Sequence, residues 1–172
     1  MPSAQTEAPA WLTEDQRRSW MAVAGMLMTL PAALDAQLRA DSRLNLFEYH
    51  VLVALADAPE RTVGMSDLAA LANGSLSRLS HAVGRLERDG LVERNACSDG
   101  RRRMEARLTD AGLARLTAAA PGHVREVRRL VIDVLEPGQL EAFGAVARSV
   151  MAAIDPTMAC AEAGRVSAQQ GR

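Results

Sequence analysis

The sequence predicts a mainly α-helical fold with one short β-hairpin, and two observations lead to this prediction. Ala (32) and Leu (21) dominate the apolar residues of the 172-residue chain, whereas Ile (2) and aromatic residues (3%) are scarce. Ala and Leu favour helices, while β-branched and aromatic residues favour strands. Apolar residues also recur every three or four positions through most of the chain. This pattern excludes an all-β sandwich and a disordered chain.

The first half of the chain predicts three helices. Thr13 is the expected N-cap of the first, which runs to about residue 40 and should kink at Pro31. The second runs from Leu44 or Asn45 to Ala56 and carries its apolar residues on one face. One or two strand residues are expected at 61–63, before a short third helix at 66–72 capped by Ser66.

A turn at Asn73-Gly74 leads directly into a fourth helix, from Ser75 to Asp89. Its apolar residues step by three, four and three, which predicts one buried seam: Leu76, Leu79, Val83 and Leu86. Gly90 is expected to end this helix in the left-handed conformation. Alternating residues predict strands at 91–94 and 103–108, joined by a turn at 95–102.

The remainder of the chain predicts helices again. Thr109 and Asp110 are expected to cap a helix that runs towards Ala120, breaks at Pro121-Gly122 and resumes from about residue 123 to 135. A final helix is expected at about 139–154, with an apolar stripe formed by Leu140, Phe143, Val146 or Ala147, and Val150.

Two short helices followed at once by a hairpin with arginine at its tip are the layout of a winged helix-turn-helix. We therefore expect a mainly α-helical protein in which this module binds DNA and the N- and C-terminal helices form a dimerisation region. The expected boundaries are a flexible leader at 1–12, dimerisation helices at 13–44 and 121–155, the winged module at 45–120 and a flexible tail at 156–172.

With the fourth helix packed through its apolar seam, its small polar and basic side chains face outward. Such side chains allow close approach to base edges and phosphates, and the helix N-terminus attracts an anion. Arg78 and His81 are the base-edge candidates, and the thin, arginine-tipped hairpin suits a narrow minor groove. The predicted DNA-binding residues are Ser75, Ser77, Arg78, Ser80, His81, Arg85, Asp99, Arg101, Arg102 and Arg103.

Several short segments support a more specific interpretation through their order and spacing. They are Ser66-Asp67-Leu68-Ala69, Ser77-Arg78-Leu79-Ser80, Gly90-Leu91-Val92-Glu93-Arg94, Asp99-Gly100-Arg101 and Leu108-Thr109-Asp110-Ala111-Gly112. With them, the sequence from about residue 30 to 154 resembles the MarR family of bacterial transcriptional regulators. The resemblance implies that the fourth helix enters the major groove, that Arg101 reaches the minor groove and that Asp99 orients it. It also implies an obligate homodimer on a pseudo-palindromic operator.

A dimer also has support in the residues themselves. The amphipathic first and last helices lie outside the winged module, and their apolar stripes need a covering surface. A two-fold dimer would place the two recognition helices about 34 Å apart, one turn of the duplex. The predicted interface residues are Trp11, Leu12, Trp20, Leu140, Phe143 and Val150.

The expected function is that of a cytoplasmic, homodimeric regulator that binds double-stranded DNA sequence-specifically, as a repressor more often than as an activator. The alternative is a helical protein-interaction adaptor that uses the winged module without DNA, although an adaptor has no need of an arginine-tipped hairpin. The resemblance implies a small aromatic or phenolic effector, and Trp20, Met21 and Met28 could line its pocket. Core filling is the favoured role of the patch that Met21, Met26 and Met28 form near Trp20, because Met adapts to irregular gaps.

Other functions lack support in the sequence. No nucleotide-binding, zinc-protease or serine-hydrolase motif occurs, so we expect no enzyme. His50, His81 and His123 have no metal-binding spacing, and no cofactor or metal is expected. Cys97 is favoured as a passive surface thiol over a redox sensor. The longest apolar run, residues 20–33, is 14 residues long, so neither a membrane span nor a membrane partner is expected.

Overall fold

The computed structural model describes residues 10–96 and 104–155, and it confirms the mainly α-helical fold with a small antiparallel sheet. The chain divides into two compact units between Glu126 and Val127. The elements of the described residues are α1 (Glu14–Ser42), α2 (Leu46–Ala56), β1 (Thr62–Gly64), α3 (Met65–Leu71), α4 (Leu76–Arg88), β2 (Val92–Ala96), β3 (Met104–Leu108), α5 (Asp110–Leu130) and α6 (Gln139–Ile154).

The first two helices begin at reciprocal side-chain caps. Thr13 caps α1, as predicted: its hydroxyl accepts from the backbone N–H of Gln16 at 3.3 Å, and the Gln16 side chain accepts from Thr13 N at 2.9 Å. Asn45 and Glu48 form the same arrangement at α2, with distances of 2.8 and 2.9 Å. Glu48 is therefore fixed at the start of α2 through its own backbone and side chain.

The prediction that Ser66 caps the third helix is wrong. Gly64 is the N-cap of α3, and it offers no side-chain hydrogen bond. The reason lies in β1, whose last residue, Gly64, pairs with Glu105 of β3. Because α3 begins immediately after that strand, Ser66 falls inside the first helical turn.

The core of residues 10–126 is built mainly from α2, α3, α4 and the sheet, with Leu38 of α1 and Leu116 and Ala119 of α5. Its members are apolar and almost inaccessible to water, and they include Val51, Leu52, Leu55, Leu68, Leu79, Val83, Leu86, Val92, Ala106 and Leu108. The predicted seam of α4 is therefore confirmed from Leu79 onward, with Ala82 added to it. Leu76 was wrongly included, because it is 52% exposed at the protruding first turn of the helix.

The small sheet has the order β1-β3-β2, with both pairs antiparallel. Val92 pairs with Leu108 and Ala96 with Met104, so the hairpin is in register along the whole length of β2. The strand residues expected at 61–63 are found at 62–64, where β1 pairs with the other edge of β3. The hairpin is thereby hydrogen-bonded to the segment that precedes α3.

The break predicted at Pro121-Gly122 is absent, since α5 is a continuous helix from Asp110 to Leu130. It ends five residues earlier than expected, and a short 3-10 turn follows at Ile132–Val134. Gly122 has a packing role instead of breaking the helix. A Cβ on Gly122 would lie 2.9 Å from Asp41 Oδ2 and 3.0 Å from Gln37 Nε2, so a larger residue there would have to displace the ends of these two α1 side chains. Helix α1 likewise continues through Pro31.

Helix α1 is long and apolar but little buried. It contains an 18-residue window of mean hydropathy 1.4, of which 6% is buried, so its length and composition alone would suffice to cross a membrane. This differs from the expectation drawn from the longest unbroken apolar run. Its exposed side chains include Trp20, Met21, Leu27 and Met28, and Trp11, just before the helix, is exposed as well.

A single hydroxyl connects the end of α4 with the start of α5. Gly90 has the predicted left-handed backbone, with φ of 70°. Thr109 Oγ1 donates to Gly90 O at 2.8 Å and accepts from Gly112 N at 3.0 Å, which confirms Thr109 as the cap of α5. The two segments approach so closely that a Cβ on Gly112 would lie 2.1 Å from Leu91 O and 2.6 Å from Leu108 Cδ1.

We predict that Gly112→Ala lowers the free energy of unfolding by about 1–3 kcal/mol. The new methyl group must displace the backbone at Leu91 as well as the core side chain of Leu108. Urea unfolding followed by circular dichroism measures the change. The matched control is Gly84→Ala in the interior of α4, where the nearest atom to a new Cβ is Arg94 Nη2 at 3.9 Å. There we expect stabilisation by about 0.5–1 kcal/mol. Equal effects of the two substitutions would contradict the close approach at Gly112.

Candidate nucleic-acid interface

The N-terminal turn of α4 protrudes from the core with its polar side chains exposed. Ser75 is the N-cap, and its hydroxyl accepts from Arg78 N at 3.2 Å. No acidic residue lies in this first turn, so the positive end of the helix dipole is uncompensated by a carboxylate there. The side chains predicted to contact DNA share this exposed face: Ser75, Ser77, Arg78, Ser80, His81 and Arg85. The described part of the predicted site thus forms one surface.

Arg78 lies over an aromatic ring that the sequence analysis did not identify. Its Cζ atom is 4.2 Å from the centroid of the Phe47 ring. Phe47 is the second residue of α2 and is only 7% exposed. A planar guanidinium at this distance from an aromatic face makes a cation–π contact. The contact is non-local in sequence, so no pattern within α4 could have indicated it.

Arg85 is held by a buried carboxylate that the sequence analysis also missed. Its Nε donates to Glu48 Oε1 at 2.6 Å. The Glu48 side chain is 8% exposed, whereas that of Arg85 is 46% exposed. Glu48 thus caps α2 with one oxygen and binds the recognition helix with the other. The capping-box spacing of Asn45 and Glu48 was a visible signal for the first role, but not for the second.

A second ion pair joins α4 to the hairpin. Arg94 of β2 donates to Glu87 Oε2 through Nε at 2.9 Å and also through Nη2. These hydrogen bonds hold the pKa of the Glu87 carboxyl below its usual range. Arg88 takes no part in this pair and donates to Gly84 O at 3.2 Å. Arg94 is consequently engaged in holding the hairpin and is not part of a free basic patch.

The hairpin carries the second part of the predicted interface. Its last described pair is Ala96 with Met104. The predicted wing residues Asp99, Arg101, Arg102 and Arg103, together with Cys97, lie outside the described residues. Their assignment therefore remains a prediction.

The residues expected to line an effector pocket do not fill a core. Trp20, Met21 and Met28 are each more than half exposed, so the favoured core-filling role is wrong for the described chain. They project from a part of α1 that extends beyond the buried positions Leu38 and Ser42. A polar cavity of about 890 Å³ lies elsewhere, between the segment that follows α2, strands β2 and β3, and the start of α5. Its lining includes Glu60, Arg61, Glu93, Arg107 and Asp110.

Two of the three histidines behave as surface residues, and one does not. His50 and His81 are exposed. His123 is 9% exposed, and its ring centroid lies 4.5 Å from that of Tyr49. Burial lowers the pKa of His123, and nearby His50 adds to the effect. Within residues 10–96 and 104–155, no three His, Cys, Asp or Glu side chains form a group able to hold a metal.

The order of elements, the exposed face of α4 and the hairpin behind it define a winged helix-turn-helix protein, and solved structures identify its family. Sco3205, a MarR family transcriptional regulator from Streptomyces coelicolor in complex with DNA, is 39% identical, with a TM-score of 0.84. The match covers 90% of this chain and 96% of Sco3205. AbsC, a MarR family transcriptional regulator from the same organism, is 33% identical over 85% of this chain and 98% of AbsC, with a TM-score of 0.80. The chain belongs to the MarR family of transcriptional regulators.

A curated relative gives a shorter match. The HTH-type transcriptional repressor YetL of Bacillus subtilis (strain 168) is 29% identical over 80 residues, which are 46% of this chain and 48% of YetL. The chain therefore aligns with about half the length of that relative. No protein-family model matches the sequence. Because the family consists of transcriptional regulators, the expectation that this chain is not an enzyme is confirmed.

We predict that substituting Arg85 lowers the free energy of unfolding more than substituting Glu48, although both changes break the same ion pair. Arg85→Met keeps the aliphatic stem but leaves the buried Glu48 charge without its cation, and should lower the free energy of unfolding by about 1.5–3 kcal/mol. Glu48→Gln leaves a half-exposed arginine and retains an oxygen for Asn45 N, so its cost should be smaller. Urea unfolding of both variants measures the difference. A larger loss for Glu48→Gln would contradict the assignment of Glu48 as the buried partner.

Proposed function

We propose that this protein is a repressor that binds a pseudo-palindromic double-stranded DNA operator sequence-specifically as a homodimer in the cytoplasm. The observation that carries the proposal is the protruding first turn of α4, whose polar and basic side chains are exposed while its apolar seam is buried. The structural relative Sco3205 is described in complex with DNA, and the curated relative YetL is named a repressor. Both descriptions support the proposal.

In this proposal α4 lies in the major groove. The major groove admits an α-helix, and each base pair presents a distinct pattern of hydrogen-bond donors and acceptors there. Ser75, Ser77 and Ser80 are small enough for the helix to approach the duplex, and Arg78 and His81 supply the longer base-edge contacts. The N-terminal N–H groups of α4 attract a phosphate. Arg85, although paired with Glu48, remains 46% exposed, so it can add a phosphate contact.

The hairpin contacts the neighbouring minor groove. Pairing of β2 with β3, and of Arg94 with Glu87, fixes the base of the hairpin beside α4. The seven residues 97–103 continue from that base and contain the wing arginines. An arginine is favoured in a narrow minor groove by its enhanced negative potential. Arg101 has this role in our proposal, with Asp99 orienting it and Arg102 and Arg103 contacting the backbone.

A second copy of the chain covers the apolar side chains of α1 and α6. Trp11 is 88% exposed and Trp20 54% exposed, and no residue of α6 is buried. Exposed apolar surface of this extent marks an interaction site in a protein that remains in water. The interface residues are Trp11, Leu12, Trp20, Leu140, Phe143 and Val150. A small aromatic or phenolic effector, bound near Trp20, Met21 and Met28, releases the DNA by favouring a spacing of the recognition helices that does not fit the operator.

We predict that the purified chain selects specific fragments from the genomic DNA of its source organism. Arg101→Ala and Arg78→Ala should each weaken binding to such a fragment by about 1–3 kcal/mol, roughly 5- to 150-fold in Kd. Fluorescence anisotropy with the labelled fragment and a scrambled competitor measures both affinity and preference. Arg17→Ala, in the first turn of α1, is the control and should leave Kd unchanged. Equal binding of native and scrambled DNA at moderate ionic strength would refute the proposed function.

We predict that the chain is a dimer at micromolar concentration and that Trp20→Glu shifts it towards monomer, because the interface would have to bury a carboxylate. Light scattering coupled to size exclusion measures the mass. Arg18→Ala changes an exposed residue on the same helix and should leave the dimer intact. A monomeric wild-type protein would show that α1 and α6 are not covered by a second copy.

A further inference from the structure

The ring of Phe47 lies against the turn between α3 and α4, at its Cε2 and Cζ atoms. A Cβ on Gly74 would lie 2.6 Å from both Cε2 and Cζ of Phe47, which is closer than atoms can pack. Gly74 has no positive φ that would itself require glycine. Glycine is therefore needed at position 74 to leave room for the Phe47 ring. The turn that precedes α4 thus also confines this ring.

Arg78 uses this confined ring in a way that differs from the other arginines near α4. Arg85 and Arg94 donate their guanidinium hydrogens to carboxylates, and Arg88 donates to a backbone carbonyl. Among the described residues, the guanidinium of Arg78 has no hydrogen-bond partner, and its contact is with the face of Phe47. Stacking uses the face of the guanidinium plane, whereas its N–H donors point outward along the edge.

Electrostatics favour the same position of Arg78. The pKa of Asp35 is held below its usual value, first by the hydrogen bond that Leu46 N donates to Oδ1 at 2.8 Å, then by Arg39 and, more weakly, by the charge of Arg78. Asp35 thus attracts Arg78 towards the corner where α1 meets α2. It does so without taking one of the five N–H donors of the guanidinium.

We infer that Phe47 is a positioning residue for DNA recognition: it holds the Arg78 guanidinium by its face and leaves the N–H edge free to read a guanine in each operator half-site. A guanine presents O6 and N7 together in the major groove, which matches the bidentate edge of arginine. The inference rests on the proposed DNA-binding function. It adds a residue of α2, outside the recognition helix, to the determinants of base preference.

A double-mutant cycle on the full-length protein tests whether Phe47 acts through Arg78. The probe is the labelled genomic fragment selected by the wild type, together with its single-base variants, and the variants are Phe47→Leu, Arg78→Ala and their combination. Phe47→Leu should weaken binding about 2- to 30-fold and relax the same guanine preference as Arg78→Ala. In the Arg78→Ala background it should have no further effect, because the group that it positions is already gone.

Arg88→Ala provides the matched control background. Arg88 lies on the same helix but has no aromatic contact among the described residues, so Phe47→Leu should cost as much in Arg88→Ala as in the wild type. If Phe47→Leu costs as much in Arg78→Ala as in the wild type, Phe47 acts through general packing and the inference is wrong. If Phe47→Leu does not fold, Phe47→Met replaces it, since Met adapts to irregular spaces.

A measurement without DNA separates this inference from the proposed function. In nuclear magnetic resonance spectra of the wild-type protein, the ring current of Phe47 should shift the side-chain protons of Arg78 upfield of those of Arg88. The shift should disappear in Phe47→Leu. Arg78 signals like those of Arg88 would overturn the positioning role even if the operator is bound. Equal affinity of the wild type for native and scrambled DNA would instead defeat the proposed function on which the inference rests.

Discussion

Burial of one face of α4 is the constraint on which the rest of the structure depends. Leu79, Val83 and Leu86 are removed from water against the core formed with α2, α3 and the sheet. Removing three such side chains from water contributes several kcal/mol, roughly 1.5–3 kcal/mol for each. Because these residues share one side of a helix, the opposite side must face solvent. The polar face of α4 is thus a direct consequence of the core.

Two ion pairs and one aromatic contact refine the orientation that this burial sets. Glu48 binds Arg85 from α2, Glu87 binds Arg94 from β2, and Phe47 lies beneath Arg78. Apolar burial is non-directional, whereas hydrogen bonds and ring contacts have preferred geometries. The three contacts therefore restrain the rotation of α4 and the placement of the hairpin beside it. Two of them connect the exposed face of α4 to the first turn of α2.

Local patterns in the sequence were sufficient for the elements and for the exposed face, but not for the contacts between elements. Spacing and capping residues predicted α1, α2, α4, α6 and the hairpin, since Thr13, Gly90 and Thr109 each act within a few residues of their own position. Phe47 and Glu48 act on residues 31 and 37 positions away, and no periodicity encodes such a pairing. The misplaced break at Gly122 has the same origin, because the side-chain atoms nearest to that glycine belong to α1. Leu76 was misjudged because periodicity does not show where a helix protrudes.

The central position of β3 limits how this module can change. Its backbone is hydrogen-bonded on one edge to β2 and on the other to β1, the segment that leads directly into α3. Tilting the hairpin away from the helices would therefore require breaking the backbone hydrogen bonds of β3 to β1 or to β2. The spacing between the base of the hairpin and α4 is accordingly a fixed property of the chain. In the homodimer that we propose, adjustment to DNA of different groove geometry would have to come from the way the two copies are set against each other.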